Sequence, residues 1–406
     1  MTTSSEPDLI DYAAVERLRA EPLDWRYKGL PADARSLDDL IGRRLPTGGF
    51  ISPVASLDGA ALAGNLDRYA TFCAERGLAF APHIKTTMAP AIAAQQARRG
   101  AWAFTVATVA QARVLRAFGA RRILIAHGVV DPAAIAWVAG EQDRAEVYCW
   151  VDSPAAVAAL AVRVGVHGAP IPVFVELGLP GGRTGARGVP AAGEVAHIVA
   201  ATAGLRLAGV AGYEGSYGHD RSSADVAAVR HHLAELVRLA EAVDAEIVTA
   251  GGSAYPDLVA EAFDGLGGAR RAVLRSGAYV AHDHGHYAHL SPFPLEPALR
   301  VWATVVSTPE AGRAFLNMGK RDVSYDLDLP LPLTVLRNGM PRPVERLTVT
   351  ELNDQHAYLS DPAGEVAVGD WVVCGISHPC TMFERWQALP VLDSEHRVID
   401  IVRTFF

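Results

Sequence analysis

Cysteine is scarce: Cys73, Cys149, Cys374 and Cys380 are the only four in 406 residues. No two stand in Cys-x-x-Cys spacing, so neither a disulfide framework nor a cysteine-built zinc ribbon is indicated. Dense runs of Lys and Arg are also missing. With a formal charge of −8 and a pI near 6.0, the chain offers no basic surface for nucleic acid or for an anionic membrane. No apolar stretch approaches the roughly 20 residues that span a bilayer; one of the longest, starting at Ala155, is broken by Arg163. The opening MTTSSEPDLIDYAAVERL lacks the basic and apolar regions of a signal peptide. The expectation is a soluble, cytoplasmic protein with no nucleic-acid and no membrane partner. A Gly-x-Gly-x-x-Gly turn after the first apolar run is absent too, and with it the usual mark of a doubly wound dinucleotide fold.

What the chain does have is length, an apolar content of 50%, and a regular alternation of textures. Eight short apolar runs lie at Leu78–Lys85, Ala103–Thr108, Ile123–Gly128, Glu146–Asp152, Pro172–Leu179, Leu207–Ser216, Glu246–Ser253 and Ala272–Tyr279. Between them are Ala-rich segments with helical spacing, such as APAIAAQQARRG and VAQARVLRAFG, which end in Gly as helices often do. Near-continuous apolar strands, each followed by a helix, indicate a parallel sheet covered on its outer side. Eight such repeats predict an α/β fold, a (β/α)8 TIM-type barrel. After about Ser291 helical periodicity fades and short alternating runs appear, separated by turns such as Arg337-Asn338-Gly339. That texture predicts an antiparallel β domain. The expected division is a barrel over 51–290 and a β domain over 291–406, joined by part of 1–50.

A barrel places its chemistry at the C-terminal strand ends. The first run ends in Pro82-His83-Ile84-Lys85-Thr86-Thr87. If it is strand throughout, His83 and Lys85 share a face, and a lysine held among apolar walls has a lowered pKa and becomes a nucleophile and base. A surface lysine just past a strand fits the same spacing. The fifth run leads into a Gly-rich turn with Arg183 and Arg187, which suits an anionic or heteroaromatic ligand, or is an ordinary loop. The sixth leads into Tyr213-Glu214-Gly215-Ser216-Tyr217-Gly218-His219, where Tyr217 and His219 are either site or turn residues. The seventh and eighth end in Gly251-Gly252-Ser253 and Ser276-Gly277-Ala278-Tyr279, where barrels often cradle a phosphate on backbone N–H groups. A phosphate anchor facing an amine is the layout pyridoxal 5'-phosphate (PLP) requires. In the β domain, His378 and Cys380 would point the same way on an extended segment, and imidazole with thiolate favours zinc. A buried cysteine beside an exposed histidine explains an isolated pair as readily. His356 and the pair His282/Asp283 are similarly ambiguous.

Lys85 in PHIKTTMAP, the barrel count, the GGS and SGAY turns and the C-terminal SHPC together resemble the fold type III PLP enzymes. The closest likeness is to the branch of D-serine dehydratase, D-threonine aldolase and the bacterial amino acid deaminases, with alanine racemase more distant. The resemblance runs from about Ser52 to the C-terminus, and also touches Leu23–Leu30. It implies that Lys85 is the Schiff-base lysine, that His83, Arg183 and Tyr213 lie by the pyridine ring, and that Gly252, Ser253, Gly277 and Tyr279 hold the phosphate. It further implies zinc on His378 and Cys380, a D-amino-acid substrate, and a homodimer. The aldolases typically carry Asp at the second metal position, so Cys380 favours a dehydratase. The chain departs from many relatives in reading Lys85-Thr86-Thr87 where they have Lys-Thr-His, and in Ser377 before the metal motif. The expected activity is PLP-dependent, zinc-assisted β-elimination from D-serine or D-threonine to a 2-oxo acid and ammonia. D-threonine-type aldol cleavage, racemisation, a PLP-free lysine aldolase and a non-catalytic PLP-binding barrel are the alternatives.

Overall fold

The computed structural model describes residues 8–162, 164, 169–266 and 270–406; Arg163 and residues 1–7 of the opening segment lie outside them. In chain order the strands are β1 (Val54–Asp58), β2 (Ala79–Phe80), β3 (Phe104–Val106), β4 (Arg122–Gly128), β5 (Glu146–Val151), β6 (Ile171–Gly178), β7 (Ala186–Arg187), β8 (Leu205–Gly212), β9 (Ile247–Ala250) and β10 (Arg271–Leu274). They continue with β11 (Leu299–Glu310), β12 (Gly312–Leu316), β13 (Leu331–Arg337), β14 (Met340–Arg342), β15 (Thr348–Leu352), β16 (Ala357–Asp361), β17 (Trp371–Gly375), β18 (Ala388–Leu392) and β19 (Val398–Arg403).

The chain forms two compact units. The first comprises Met1–Tyr12, Tyr69–Lys85 and Ala93–Gly277; the second comprises Ala13–Arg68, Thr86–Ile92 and Ala278–Phe406. In the first, a parallel sheet runs in the order β2-β10-β9-β8-β6-β5-β4-β3, with β7 added on β6. Its ends meet: Thr105 N–H donates to Pro82 O (2.8 Å) and Trp102 N–H to Phe80 O (2.7 Å), and His83 and Thr105 form a parallel bridge. All eight expected runs carry a barrel strand. Polar caps start the intervening helices, with Asp131 accepting from Ala133 and Ala134 N–H, both at 3.0 Å, ahead of Pro132. The barrel interior is packed, with Leu124, Tyr148, Trp150, Phe174, Ile247 and Val273 in one cluster.

One close approach sets a sequence requirement. Gly209 pairs with Ile247 between β8 and β9, and a Cβ at Gly209 would sit 1.9 Å from Ile247 O. Both sides are backbone, so neither can swing away. Gly209→Ala is expected to destabilise at or beyond the top of the ~1–3 kcal/mol range for overpacking, read as a lowered thermal unfolding midpoint.

The second unit is an antiparallel β domain. Its main path is β14-β13-β17-β11-β1-β18-β19, and β12, β15 and β16 extend it through β11. The division differs from the contiguous one expected. β1 pairs antiparallel with β11, Val54 opposite Trp302, so it belongs to this sheet and not to the barrel. The segment Leu23–Phe50 packs under the sheet, where Leu23, Leu40 and Leu45 join Trp302, Val373 and Val398 in one core. No helix among the described residues is long and apolar enough to cross a membrane.

Candidate active site: a lysine at the barrel mouth and a His/Cys pair in the β domain

Lys85 is not on a strand. β2 stops at Phe80, Pro82 has no N–H to continue a ladder, and Ile84–Thr86 form a single 3-10 turn. The shared-face argument for His83 and Lys85 therefore fails. So does the apolar enclosure, since Lys85 is exposed. The chain nevertheless has only three lysines, Lys28, Lys85 and Lys320. Lys28 is committed to Asp322 (2.9 Å) and the Trp386 ring (4.0 Å), and Lys320 lies outside the barrel unit. Lys85 is the one lysine at the C-terminal end of the barrel.

Around it, strand ends supply a connected set. His83 N–H donates to Ser276 O at 2.8 Å. Ser276 Oγ hydrogen-bonds Gly252 O (2.5 Å) and the Tyr69 hydroxyl, tying the Gly-rich turn after β9 to β10 and the helix Gly59–Glu75. Gly251 has φ +134°, and a Cβ there would meet Arg275 O at 2.4 Å, so only glycine fits. A Cβ on Gly252 would lie 3.0 Å from the Tyr213 ring. Arg183 stacks over that ring at 4.3 Å, while Arg187 is spent on loop carbonyls, including Gly185 O at 2.6 Å. Of the two arginines, only Arg183 is left to face a ligand. Tyr217 stacks on His232 (4.0 Å), and the His219 backbone N–H donates to Asp225 Oδ2 (2.6 Å) with its side chain exposed. Gly277 ends the first unit and Tyr279 is buried in the second.

Two charged groups that sequence patterns did not single out, Arg275 and Glu214, sit inside the barrel near His83. Arg275 is buried, donating to Thr249 Oγ1 (3.0 Å) and Gly212 O (2.5 Å); burial lowers its pKa to about 10, against the pull of Glu214 and Glu176. Glu214 is fully buried. Its Oε2 accepts from Gly251 N–H at 2.8 Å and its Oε1 has no partner. Burial raises it to about 7. His83 is held well below its ordinary pKa by burial, with the Lys85, Arg275 and Arg183 cations adding to the effect, and its Nδ1 is likewise unpaired. These orphaned buried atoms and the glycine-only turn fit PLP, whose ring and phosphate supply complementary polar groups.

Glu214 has a stability consequence. Its folded pKa exceeds the unfolded 4.5, so the folded chain keeps a proton that the unfolded chain releases. Stability from this source is intact below pH 4.5, falls as pH rises toward 7, and is flat above. Glu214→Gln removes that decline. Between pH 5 and 8 its stability should rise relative to the parent by up to roughly 3 kcal/mol, measured by urea unfolding.

In the second unit, Cys380 opens a short helix, Cys380–Phe383, so the extended-segment argument for the pair does not apply. The pair is close enough for Cys380 to act on the His378 ring, whose Nδ1 lies 2.5 Å from Asp326 Oδ2. Thr381 Oγ1 donates to Asp326 Oδ1 (2.6 Å), and Thr86 Oγ1 contacts Cys380 Sγ (3.1 Å). Burial pulls the His378 pKa down, but Cys380 and Asp326 outweigh it and lift it to about 9. A carboxylate on Nδ1 is the arrangement that orients a metal-binding histidine, so imidazole plus thiol fits a divalent metal with water or substrate completing the shell. No group of three or more His, Cys, Asp or Glu side chains able to hold a metal occurs among the described residues. His356 is exposed. Asp283 is buried and caps its own turn through Tyr287 N–H (2.8 Å).

A parallel barrel with a lysine at its mouth, joined in sequence to an antiparallel β domain, is the organisation of one known family. The chain belongs to it: the "Alanine racemase, N-terminal domain" profile matches residues 57–262, more than half of the chain, and the "Putative serine dehydratase domain" profile matches 298–392. Among individual proteins, the chain is 27% identical over 324 residues to a D-threonine aldolase from Arthrobacter sp., covering 78% of this chain and 82% of the relative. It is 29% identical over 286 residues to D-threo-3-hydroxyaspartate dehydratase from Delftia sp., covering 68% and 73%. The same fold is seen in a D-threonine aldolase from Filomicrobium marinum, with a TM-score of 0.79 at 23% identity over 90% of this chain and 97% of that one. The Delftia dehydratase structure gives 0.73 at 24% identity, covering 87% and 97%.

Proposed function

We propose that this protein is a PLP-dependent lyase that eliminates water from a D-3-hydroxyamino acid such as D-serine or D-threonine, releasing a 2-oxo acid and ammonia. The observation that carries the reading is Lys85 beside a glycine-only turn, with Arg183 stacked on Tyr213 and two orphaned buried polar atoms nearby. The names of the relatives, a dehydratase and an aldolase of D-amino acids, support the same class of substrate.

PLP held by Lys85 and the Gly252, Ser253, Gly277 and Tyr279 turns would supply an electron sink for charge at Cα. Lys85 Nζ, exposed on its 3-10 turn, takes the Cα proton. Arg183 is pinned by Tyr213 and presents a planar cation with little entropy left to lose. His83, kept neutral, donates or accepts a hydrogen bond without adding charge. Zinc on His378 and Cys380 would polarise the β-hydroxyl as it leaves; a cysteine-to-alanine variant of the Delftia dehydratase is described in a metal-free form. Asp326 holds His378 Nδ1, leaving Nε2 for that metal.

Aldol cleavage to glycine and an aldehyde is the second reading, favoured by the 27% identity to an aldolase over 324 residues. The thiol at position 380, with its resemblance to the dehydratases, favours elimination. The two are separated by product analysis with D-serine, D-threonine and their L-forms. Pyruvate or 2-oxobutyrate with ammonia, from D-forms alone, is the expected result. Glycine with an aldehyde would replace it with the second reading, and turnover of L-forms would remove the stereochemical claim.

A further inference from the structure

The barrel has a second concave end. A cavity of about 810 Å³ opens among the N-terminal ends of its strands, the face opposite Lys85 and the Gly-rich turns. The packed interior cluster of Tyr148, Trp150 and Phe174 fills the barrel between them. Barrel bottoms usually serve stability, and a stability girdle would pair its charges off. This one leaves a corner open. Arg76, Arg122, Arg206, Arg270 and Arg271 line it with Glu146, Glu246 and Asp264; Arg76 pairs with Glu75 at 3.6 Å, and the cationic groups left open among the described residues are Arg271 and the Nε of Arg270.

The glutamates are already engaged. Glu146 pairs with Arg122 and accepts from the Tyr148 hydroxyl (3.3 Å), and Glu246 pairs with Arg206 at 3.1 Å. Arg270 reaches only Asp244 (2.9 Å), which is 96% exposed, and its buried Nε has no partner. Arg271 has no ion pair among the described residues. Its guanidinium lies 5.1 Å from the Trp102 ring centre, and that of Arg122 lies 5.0 Å from the same ring. Stacking on one indole fixes two planar donors in place, so an anion bridging them costs little ordering entropy.

We propose that this mouth binds a small polyanion, a molecule with at least two phosphate or carboxylate groups, at a site separate from the cofactor cleft. The cavity is too large for a single phosphate, and Arg271 and the open Nε of Arg270 give two points of attachment for anionic groups. The inference is independent of which reaction the enzyme performs.

The test is calorimetric titration of the PLP-saturated protein with pyrophosphate and, separately, citrate, at constant ionic strength, while the cofactor absorbance is followed. Saturable binding of one equivalent per chain, with an unchanged cofactor band, is expected. Affinity should fall at least tenfold in Arg271→Gln and, as a second variant, in Arg270→Gln. Both variants should keep the parental unfolding midpoint. Binding of pyrophosphate alone or of citrate alone would support the site and identify its anionic group. No saturable binding of either probe, equal binding by both variants, or displacement of the cofactor band would overturn it.

Discussion

Replacing Lys85 with alanine is expected to lower turnover of D-serine or D-threonine by about 10⁴-fold or more and to abolish the visible absorbance of the bound cofactor. Both effects follow from one amine. The other lysines do not substitute, because Lys28 is held between Asp322 and Trp386 and Lys320 belongs to the β domain. The glycine-only turn at Gly251 and the Arg183–Tyr213 stack remain in the variant, so added PLP should still associate, weakly and reversibly. Lys85→Arg keeps the charge but cannot form an imine, and should be equally inactive. An alanine variant that retained both colour and turnover would place the chemistry on another residue.

Replacing His378 with alanine is expected to lower metal content and to cut elimination by more than about 100-fold. Loss of a supporting partner alone typically costs 10–100-fold, and His378 would be the ligand itself, with Asp326 at 2.5 Å as its support. Three further results should accompany it. A chelator should inactivate the parent protein, and zinc should restore the parent but not the variant. Asp326→Asn should fall between the two in metal affinity, because it frees the imidazole orientation without removing the ring. The cofactor absorbance should persist in both variants. Full activity of the chelated parent would remove the metal from the account and leave Lys85 untouched.

The barrel was legible because parallel strands buried on both faces read as near-continuous apolar runs; Val173 to Val175 and Ile123 to Ile125, for example, are all 0–1% exposed. β1 was not legible. Val-Ala-Ser-Leu-Asp stands outside the eight apolar runs, within the range expected for the barrel, and only its partner Trp302 reveals the antiparallel sheet it joins. Strand length is a second difference, since the apolar run through Lys85 contains Pro82 and β2 ends at Phe80. At the site, the glycines, Arg183 and Tyr213 carried their own signal as turn chemistry. Glu214 lies in the turn that the sixth run leads into, where spacing carries no signal of its burial. Ser276, Tyr69 and Asp326 act through contacts hundreds of positions or one folded layer away, and no periodicity encodes them.

The most direct test of the central claim is borohydride reduction of the purified protein in the presence of PLP, followed by peptide mapping by mass spectrometry. Three lysines make the outcome unambiguous. The account predicts one reduced pyridoxyl adduct, on the peptide that contains Lys85. An adduct confined to Lys28 or Lys320, or no adduct at all, would contradict it.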